Sequence, residues 1–274
     1  MFTLNCKGKL LMLDSPVVMG IINATPDSFY KGNINEDMIV LAAKMLADGA
    51  TILDIGGQST KPGSERITAE EELNRVIPVI EAISKKFPGA IISIDTYSST
   101  VAHAAVEAGA AIVNDVSAGN MDIQMLPTVA GLGVPYVCMH MQGTPESMQK
   151  DPQYSDVTRE VLDFFIAKIH QCKKEGIADI IIDPGFGFGK TTAHNFALLK
   201  KMSVLRQLNL PILAGISRKG TIYKTLGITA ADALNGTTAL NTIALMNGAS
   251  ILRVHDVKEA MQAITLFNAY KKAP

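Results

Sequence analysis

Eight short apolar segments, each with a polar residue at or near its end, constrain the fold of this chain most strongly. They are residues 17–23, 51–56, 90–95, 111–115, 135–140, 179–183, 211–217 and 251–255. Continuous apolar runs are typical of parallel strands that are buried on both faces of a sheet. When such strands close into a barrel, the active site lies at their carboxyl ends. The pattern therefore predicts both a fold and the position of the residues that perform its chemistry.

Segments with helical periodicity lie between these runs, at residues 36–48, 68–86, 99–108, 157–175, 237–247 and 256–270. In each, apolar residues recur with a period of about 3.6 positions. The second segment begins with Thr68 and Glu71, a pattern typical of a helix N-terminus, and contains Pro78, which predicts a bend. Regular alternation of strands and helices predicts a single (β/α)8 TIM barrel that occupies residues 1–274 as one domain.

Length and composition agree with one large barrel. The chain has 274 residues, of which 47% are hydrophobic, and such barrels have roughly 250 residues. A formal net charge of −1 gives no reason to expect nucleic acid or an anionic membrane as a partner. No apolar run approaches the ~20 residues that span a bilayer, and the first residues lack the order of a signal peptide. Three cysteines at no metal-binding spacing predict reduced thiols and a cytoplasmic location.

An open, doubly wound sheet is the alternative fold, but its nucleotide-binding fingerprint is missing. No glycine cluster follows the first strand, where that fold would place it. The segment 183–191 has three alternate glycines before Lys190. It fails the phosphate-loop pattern at Pro184, however, and the dinucleotide pattern at Lys190 itself. We interpret this segment as a tight strand-to-helix loop whose glycines admit a flat ligand.

Three polar residues at predicted strand ends form one candidate site. Asp95, Asn114 and Asp183 would place two carboxylates and one amide at the same barrel mouth. Any one of them alone would more often be a helix cap or would satisfy loop hydrogen bonds. Together they suit a ligand with adjacent N–H donors, such as the guanidine-like edge of a pterin or purine, because a carboxylate accepts two parallel N–H bonds there.

Basic residues follow the seventh and eighth strands, where barrels frequently bind phosphate. Ser217, Arg218 and Lys219 form one group, and Arg253 and His255 form the other. Basic side chains at solvated loop ends are common, but the two groups together predict an anion site. The sequence leaves the role of His140 open.

The order of these motifs resembles that of dihydropteroate synthases over almost the whole chain. The matching stretches are residues 18–29, 56–63, 93–96, 114–117, 139–143, 183–190, 217–219 and 253–256. The resemblance implies a TIM-barrel transferase of folate synthesis, cytoplasmic and homodimeric, that is a target of sulfonamides. It would condense p-aminobenzoate with (7,8-dihydropterin-6-yl)methyl diphosphate and release pyrophosphate. Because the leaving group departs from an electron-rich pterin, a dissociative path through a cation is expected, with no protein nucleophile.

The resemblance also implies roles for individual residues. The pterin would be bound by Asp95, Asn114, Met139, Asp183 and Lys219, of which Asp95, Asp183 and Lys219 would also act in catalysis. The pyrophosphate would be bound by Asn23, Thr60, Arg253 and His255, and Asn23 would also contact a Mg2+ cofactor. The p-aminobenzoate pocket would be bordered by Thr60, Lys61, Pro62, Phe188, Lys219 and Gly220.

The chain departs from the usual pattern of this family at Lys31, Lys61 and Gly220. The family commonly has aspartate, arginine and serine there, and lysine lacks the planar fork of arginine. All three positions fall on the side that would receive p-aminobenzoate. We therefore expect ordinary pterin binding and an atypical second-substrate site.

Two other functions are compatible with part of the pattern. A methyltetrahydrofolate:corrinoid methyltransferase barrel would share Asp95, Asn114 and Asp183, but it would have no pyrophosphate to bind. A non-catalytic pterin-binding paralogue would be supported only by Lys31 and Gly220. The anion-binding residues favour the synthase over both.

Overall fold

The computed structural model of the chain describes residues 1–25, 34–58, 66–144, 148 and 150–274. Its described residues form a two-stranded hairpin followed by eight parallel strands with helices around them. The hairpin consists of β1 (Phe2–Cys6) and β2 (Lys9–Leu13). The parallel strands are β3 (Val17–Asn23), β4 (Ile52–Gly56), β5 (Ile91–Asp95), β6 (Ile112–Asp115), β7 (Tyr136–Met139), β8 (Ile180–Asp183), β9 (Leu213–Ala214) and β10 (Ile251–Val254).

The parallel sheet closes on itself. The hydrogen-bonded order is β8-β7-β6-β5-β4-β3-β10-β9, and a parallel bridge between Ile182 and Ile212 joins the two ends. At this seam, the backbone N–H of Ile182 donates to the carbonyl of Pro211 at 3.0 Å. The predicted barrel is confirmed, and all eight apolar segments of the sequence correspond to its strands.

The helices are α1 (Ile34–Ala47), α2 (Ala69–Lys86), α3 (Ser99–Ala108), α4 (Met125–Leu132), α5 (Val157–Glu175), α6 (Thr192–Lys201), α7 (Gly220–Leu226), α8 (Leu234–Met246) and α9 (Val257–Lys272). A 3-10 helix, Met202–Leu208, follows α6. The side chain of Thr68 caps α2 by accepting from the backbone N–H of Glu71 at 3.1 Å, as the sequence predicts. Within the described parts of the chain, no helix is long and apolar enough to span a membrane.

The hairpin closes the amino-terminal end of the barrel. One face of the hairpin is buried against residues at or near the starts of the barrel strands, and it consists of Leu4, Cys6, Leu11 and Leu13. Leu10 and Met12 on the other face are exposed. We did not predict this hairpin from the sequence, although its alternation of buried and exposed residues is typical of half-buried strands. Because this end is filled, the opposite end is the open one, where the polar strand ends meet.

Candidate active site at the carboxyl ends of the strands

An ion-pair network connects three strand ends at the barrel mouth. Arg253 of β10 donates through Nε to Asp54 Oδ2 at 2.6 Å and through a terminal nitrogen to Asp95 Oδ2 at 2.5 Å. Asp54 is fully buried, and the side chain of Arg253 is 17% exposed. The fixed positive charge of Arg253 therefore lies between two carboxylates that belong to different strands, β4 and β5.

Asn114 of β6 joins the same network. Its Nδ2 atom donates to Asp54 Oδ2 at 3.0 Å. An ionised carboxylate can only accept hydrogen bonds, so this contact fixes the amide with its nitrogen toward Asp54. The carbonyl oxygen of Asn114 is then the acceptor that this side chain can offer to a ligand.

Asp183, at the end of β8, lies on the opposite side of the same opening. Its Oδ1 atom accepts from the backbone N–H of Gly185 at 2.8 Å. A Cβ atom placed on Gly215 would lie 3.8 Å from Asp183 Oδ2, 3.7 Å from Lys219 Nζ and 3.9 Å from Arg253 Cβ. These three side chains therefore surround one point above β9, and the absence of a side chain on Gly215 keeps that point open.

Burial sets the protonation behaviour of the acidic groups. It raises the pKa of Asp95, an effect that the neighbouring Arg253 opposes, and it also raises the pKa of Asp183, where Lys219 opposes it. Asp95 Oδ1 and Asp54 Oδ1 are buried and have no hydrogen-bond partner among the described residues. Because a buried acceptor without a partner is costly, these oxygens favour a ligand that donates N–H groups to them.

Lys219 lies between the two halves of the site. Its Nζ atom donates to the carbonyl of Phe186 at 2.6 Å and lies 4.6 Å from the centre of the Phe188 ring. Burial lowers the pKa of Lys219 to about 8, and the negative charge of Asp183 opposes the shift. This lysine therefore keeps its positive charge at neutral pH next to an aromatic wall.

An apolar cluster forms that wall. Val116, Met139, Met148 and Phe188 are buried together, with Met141 packed against them. Met139 and Phe188, which the sequence assigns to the pterin and p-aminobenzoate sites respectively, therefore belong to one surface. Such a surface suits flat aromatic substrates.

Two of the alternate glycines of the loop after β8, Gly185 and Gly189, lie against the chain's own backbone. A Cβ atom on Gly189 would lie 2.4 Å from the carbonyl oxygen of Gln142, and one on Gly185 would overlap the carbonyl oxygen of His140. Both glycines have positive φ, +58° and +69°. The close approach of the chain's own backbone requires both glycines, and the approach of a flat ligand to this loop stays a prediction.

The predicted anion cluster separates into two parts. His255 Nδ1 lies 3.0 Å from Ser217 Oγ, so the second ring nitrogen of this exposed histidine is available to a ligand. The guanidinium of Arg218 instead forms a two-pronged ion pair with Asp256, with both N–O distances 2.8 Å. Arg218 thus ties β10 to the loop after β9 and does not supply a free cation.

The end of β3 supplies Asn23, whose side chain is exposed at the barrel mouth. No group of three or more His, Cys, Asp or Glu side chains among the described residues could hold a metal ion. The donor set therefore does not make a protein-only metal site. It does fit a Mg2+ ion that is held mainly by phosphate oxygens and water, which takes few protein ligands.

Four of the residues singled out in the sequence lie outside the described residues: Lys31, Thr60, Lys61 and Pro62. Their assignments stay predictions. The remaining predicted residues lie around the mouth, namely Asn23, Asp95, Asn114, Met139, Asp183, Phe188, Lys219, Gly220, Arg253 and His255.

From the sequence we assigned no role to three residues that belong to this site. Asp54 anchors Arg253 and Asn114, Gly215 keeps the centre open, and Lys190 holds the loop after β8 from below. Asp54 lies within the second predicted apolar run and Gly215 within the seventh, and these positions are a signal that could have found them. The contacts of Lys190 depend on how the loop folds and cannot be seen in the sequence.

The fold and the site define a barrel enzyme with a pterin-type recognition edge. Consistent with this, the family model described as pterin binding enzyme matches residues 19–255. The match extends over most of the barrel, from β3 to the end of β10.

Individual relatives are more specific. The chain is 44% identical over 268 residues to dihydropteroate synthase of Escherichia coli, with 96% of this chain and 94% of the relative covered. Two structures from Xanthomonas albilineans are also similar. The dihydropteroate synthase with 4-aminobenzoic acid has a TM-score of 0.94 at 41% identity, and 99% of each chain is covered. The complex with 7,8-dihydropteroate has a TM-score of 0.91 at 40% identity over the full length of both chains. This chain belongs to the dihydropteroate synthase family.

Proposed function

We propose that this protein is a transferase that joins p-aminobenzoate to (7,8-dihydropterin-6-yl)methyl diphosphate in folate synthesis. The observation that supports this most directly is the convergence of Asp95, Asn114 and Asp183 on an opening that also contains Lys219 and Arg253. The set combines acceptor oxygens for the N–H edge of a pterin with cations for a diphosphate. A corrinoid methyltransferase would need only the first half of it.

Acceptor oxygens on two sides of the opening would hold the pterin. Asp183 is fixed by its bond to the Gly185 N–H, and Asn114 is fixed by its bond to Asp54. Preorganised acceptors lose little freedom when a ligand binds, so each contact contributes most of its energy to affinity. Met139 and Phe188 would cover the flat faces of the ring system.

In the reaction, the bond between the pterin methylene carbon and the diphosphate oxygen breaks, and the electron pair leaves with pyrophosphate. The amine nitrogen of p-aminobenzoate then forms a bond to that carbon and loses a proton. We propose that cleavage comes first and gives a pterin cation, which Asp95 and Asp183 stabilise by their negative charge. Such fixed charges act strongly in a partly dry site and commonly contribute several kcal/mol.

The leaving group needs positive charge. Lys219 and Arg253 are cations at the described part of the mouth, and His255, whose pKa burial lowers to about 4, would donate a hydrogen bond from a neutral ring. In this structure Arg253 is paired with the carboxylates of Asp54 and Asp95. Its contact with the diphosphate is therefore proposed, as are the contacts of Asn23 and Thr60. Mg2+ would be held by the diphosphate, by water and by Asn23, and would supply further charge neutralisation.

The second substrate would enter beside Phe188, Lys219 and Gly220. The ammonium of Lys219 would attract the carboxylate of p-aminobenzoate, and the Phe188 ring would stack on its aromatic ring. Thr60, Lys61 and Pro62 would border the same pocket. Aromatic stacking combined with one cation is a common way to bind an aromatic acid.

We further propose a cytoplasmic homodimer. The three cysteines are buried free thiols, which suits a reducing compartment. Ile243 and Met246 on α8 are 43% and 52% exposed, and an exposed apolar helix face of this kind favours contact with a second copy. Sedimentation equilibrium of the wild-type protein would distinguish the dimer from the monomer.

Complementation tests the proposed function in cells. A strain that requires folate products because it lacks this synthase should grow when it expresses the wild-type chain. Expression of the Asp183→Asn variant at the same level should not restore growth. Failure of the wild type, with soluble protein present, would favour the non-catalytic pterin-binding alternative.

A further inference from the structure

Lys190 is a buried cation at the end of the glycine loop 185–189, and the proposed function gives it no task. Its side chain is 2% exposed. Its Nζ atom donates to the carbonyl oxygens of Gly185 at 3.0 Å and Phe188 at 3.1 Å, and lies 2.9 Å from His140 Nδ1. The carbonyl oxygen of His140 is a fourth acceptor at 3.4 Å, so the acceptors around Lys190 are enough to use all three N–H groups of its ammonium.

The contact with Lys190 defines the state of His140. In its ammonium form Lys190 can only donate, so with that form the Nδ1 atom of His140 is the acceptor and the hydrogen of a neutral ring is on Nε2. Burial and the neighbouring charge of Lys190 hold the pKa of His140 well below its ordinary value. The ring also packs edge-on against Phe164, with centres 4.9 Å apart. His140 is therefore a fixed neutral acceptor and is unsuited to acid–base catalysis.

The carbonyl groups of the loop are held from both sides. Lys190 donates to the carbonyl oxygens of Gly185 and Phe188. Lys219 donates to the carbonyl oxygen of Phe186 at 2.6 Å. The hydroxyl of Tyr154 donates to the carbonyl of Gly189 at 2.8 Å. The backbone direction at Phe188 therefore depends on Lys190, and this direction aims the aromatic ring at Lys219.

Burying a lysine side chain costs free energy because its charged group is removed from water. Lysine is among the residues least often fully buried, and burial lowers the pKa of Lys190 to about 7, against the favourable charge of Asp183. Its acceptors all lie in the two segments that wall the candidate pocket, the start of the loop after β7 and the loop after β8. The position of this charge is thus linked to the shape of the site.

We propose that Lys190 is a positioning residue for the second substrate: it fixes the Phe188 ring and, through the loop, the Lys219 ammonium, without touching p-aminobenzoate or pterin itself. The inference rests on the proposed function, since it assumes that this pocket takes p-aminobenzoate. It assigns a role to the lysine of the motif that resembles a phosphate loop, and it makes His140 the partner that orients that lysine.

The test compares two Lys→Met variants in steady-state kinetics with both substrates varied. Lys190→Met keeps the aliphatic stem and removes the three donors. Lys200→Met, at an exposed position of α6, is the matched control. For Lys190→Met we expect kcat/KM for p-aminobenzoate to fall on the order of 10–100-fold, since a small misplacement of a catalytic wall can cost this much. The KM for p-aminobenzoate should rise more than the calorimetric Kd for the pterin, and Lys200→Met should match the wild type.

A purely structural role would give a different pattern. It would lower the thermal midpoint of Lys190→Met while leaving the KM for p-aminobenzoate unchanged, or would weaken both substrates equally. Either result overturns the proposal. If Lys190→Met does not fold, His140→Phe decides the question, because it keeps an aromatic ring against Phe164 and removes the Nδ1 acceptor together with Nε2. It should raise the KM for p-aminobenzoate in the same direction by a smaller factor, and an unchanged KM contradicts the proposal.

The two levels of inference fail differently. If the proposed function is wrong, the wild-type protein itself forms no product. If only the positioning role is wrong, the wild type is active. The variants at residues 190 and 140 then keep the wild-type KM for p-aminobenzoate, or they bind both substrates more weakly by the same factor.

Discussion

Arg253 and Asp54 form an ion pair at 2.6 Å that joins β10 to β4 across the barrel mouth. The carboxylate of Asp54 is fully buried, and the same oxygen also accepts from Asn114 at 3.0 Å. One acidic residue therefore orients both a cation and an amide of the candidate site. The pterin edge and the diphosphate cations are in this way parts of one network.

Asp54→Asn should weaken both the fold and pterin binding. A buried charge left without any partner typically costs about 3–5 kcal/mol, but Arg253 would keep its pair with Asp95. We therefore expect a smaller loss of unfolding free energy in denaturant titrations, together with a lower pterin affinity in calorimetry. Asp14→Asn, at an exposed position, is the control. Equal stability and equal pterin affinity of the two variants would remove Asp54 from the network.

Asp183→Asn should weaken pterin binding with little effect elsewhere. The amide keeps the shape of the side chain but loses a charge-assisted hydrogen bond, which is on the order of 1.5–3 kcal/mol. Isothermal titration with a pterin ligand measures this directly. A pterin affinity equal to that of the wild type would show that Asp183 lies outside the binding site.

Gly220→Ser restores the residue that related synthases commonly have at this position. The Cβ atom it adds would lie 3.5 Å from the nearest atoms, on Lys224 and Tyr223, so the change fits without displacement. We expect a lower KM for p-aminobenzoate and stronger inhibition by a sulfonamide, because a hydroxyl is added beside the proposed carboxylate site. Gly89→Ser, at an open surface position, is the control. If the wild type already has the affinity usual for the family and Gly220→Ser changes nothing, the second-substrate site is not atypical.

Glu72 predicts a pH dependence of stability. It is a buried residue of α2, and burial raises its pKa from 4.5 to about 7, against a donor from Thr96 and the charge of Arg75. Between these two pH values the unfolded chain has lost the proton while the folded protein retains it, so this group lowers stability as pH rises. Glu72→Gln should therefore gain stability over the wild type between pH 4.5 and 7, reaching on the order of 1–3 kcal/mol above pH 7.

Denaturant titrations at a series of pH values test this prediction. Glu70→Gln, on the exposed face of the same helix, should follow the wild-type curve. A difference between Glu72→Gln and wild type that is constant with pH would mean that Glu72 does not titrate as burial suggests.

Most of the barrel could be predicted because its signals are local. The apolar runs of β3 to β10 end within a few residues of the predicted positions, and α3 and α5 have the predicted bounds. The hairpin β1–β2 was missed because its buried face contacts the barrel strands across a long sequence separation. Strand β9 has only two residues, Leu213 and Ala214, because the predicted run continues into the loop that contains Gly215 and Ser217.

The candidate site could be predicted as a set of strand ends but not as a network. The sequence shows Asp95, Asn114, Asp183 and Arg253 at strand ends. It does not show that Arg253 pairs with Asp95, or that Arg218 pairs with Asp256. Such pairings depend on distances between strands that are far apart in the chain. The same holds for Lys190 and His140, whose contact joins two loops.

The central claim is tested most directly by product analysis with purified protein. Pyrophosphate release and dihydropteroate formation are measured with the pterin diphosphate and p-aminobenzoate together, and with each alone. We predict equal amounts of pyrophosphate and dihydropteroate when both substrates are present, and none of the condensed product in either single-substrate reaction. Binding of the pterin without any dihydropteroate formed would contradict the account.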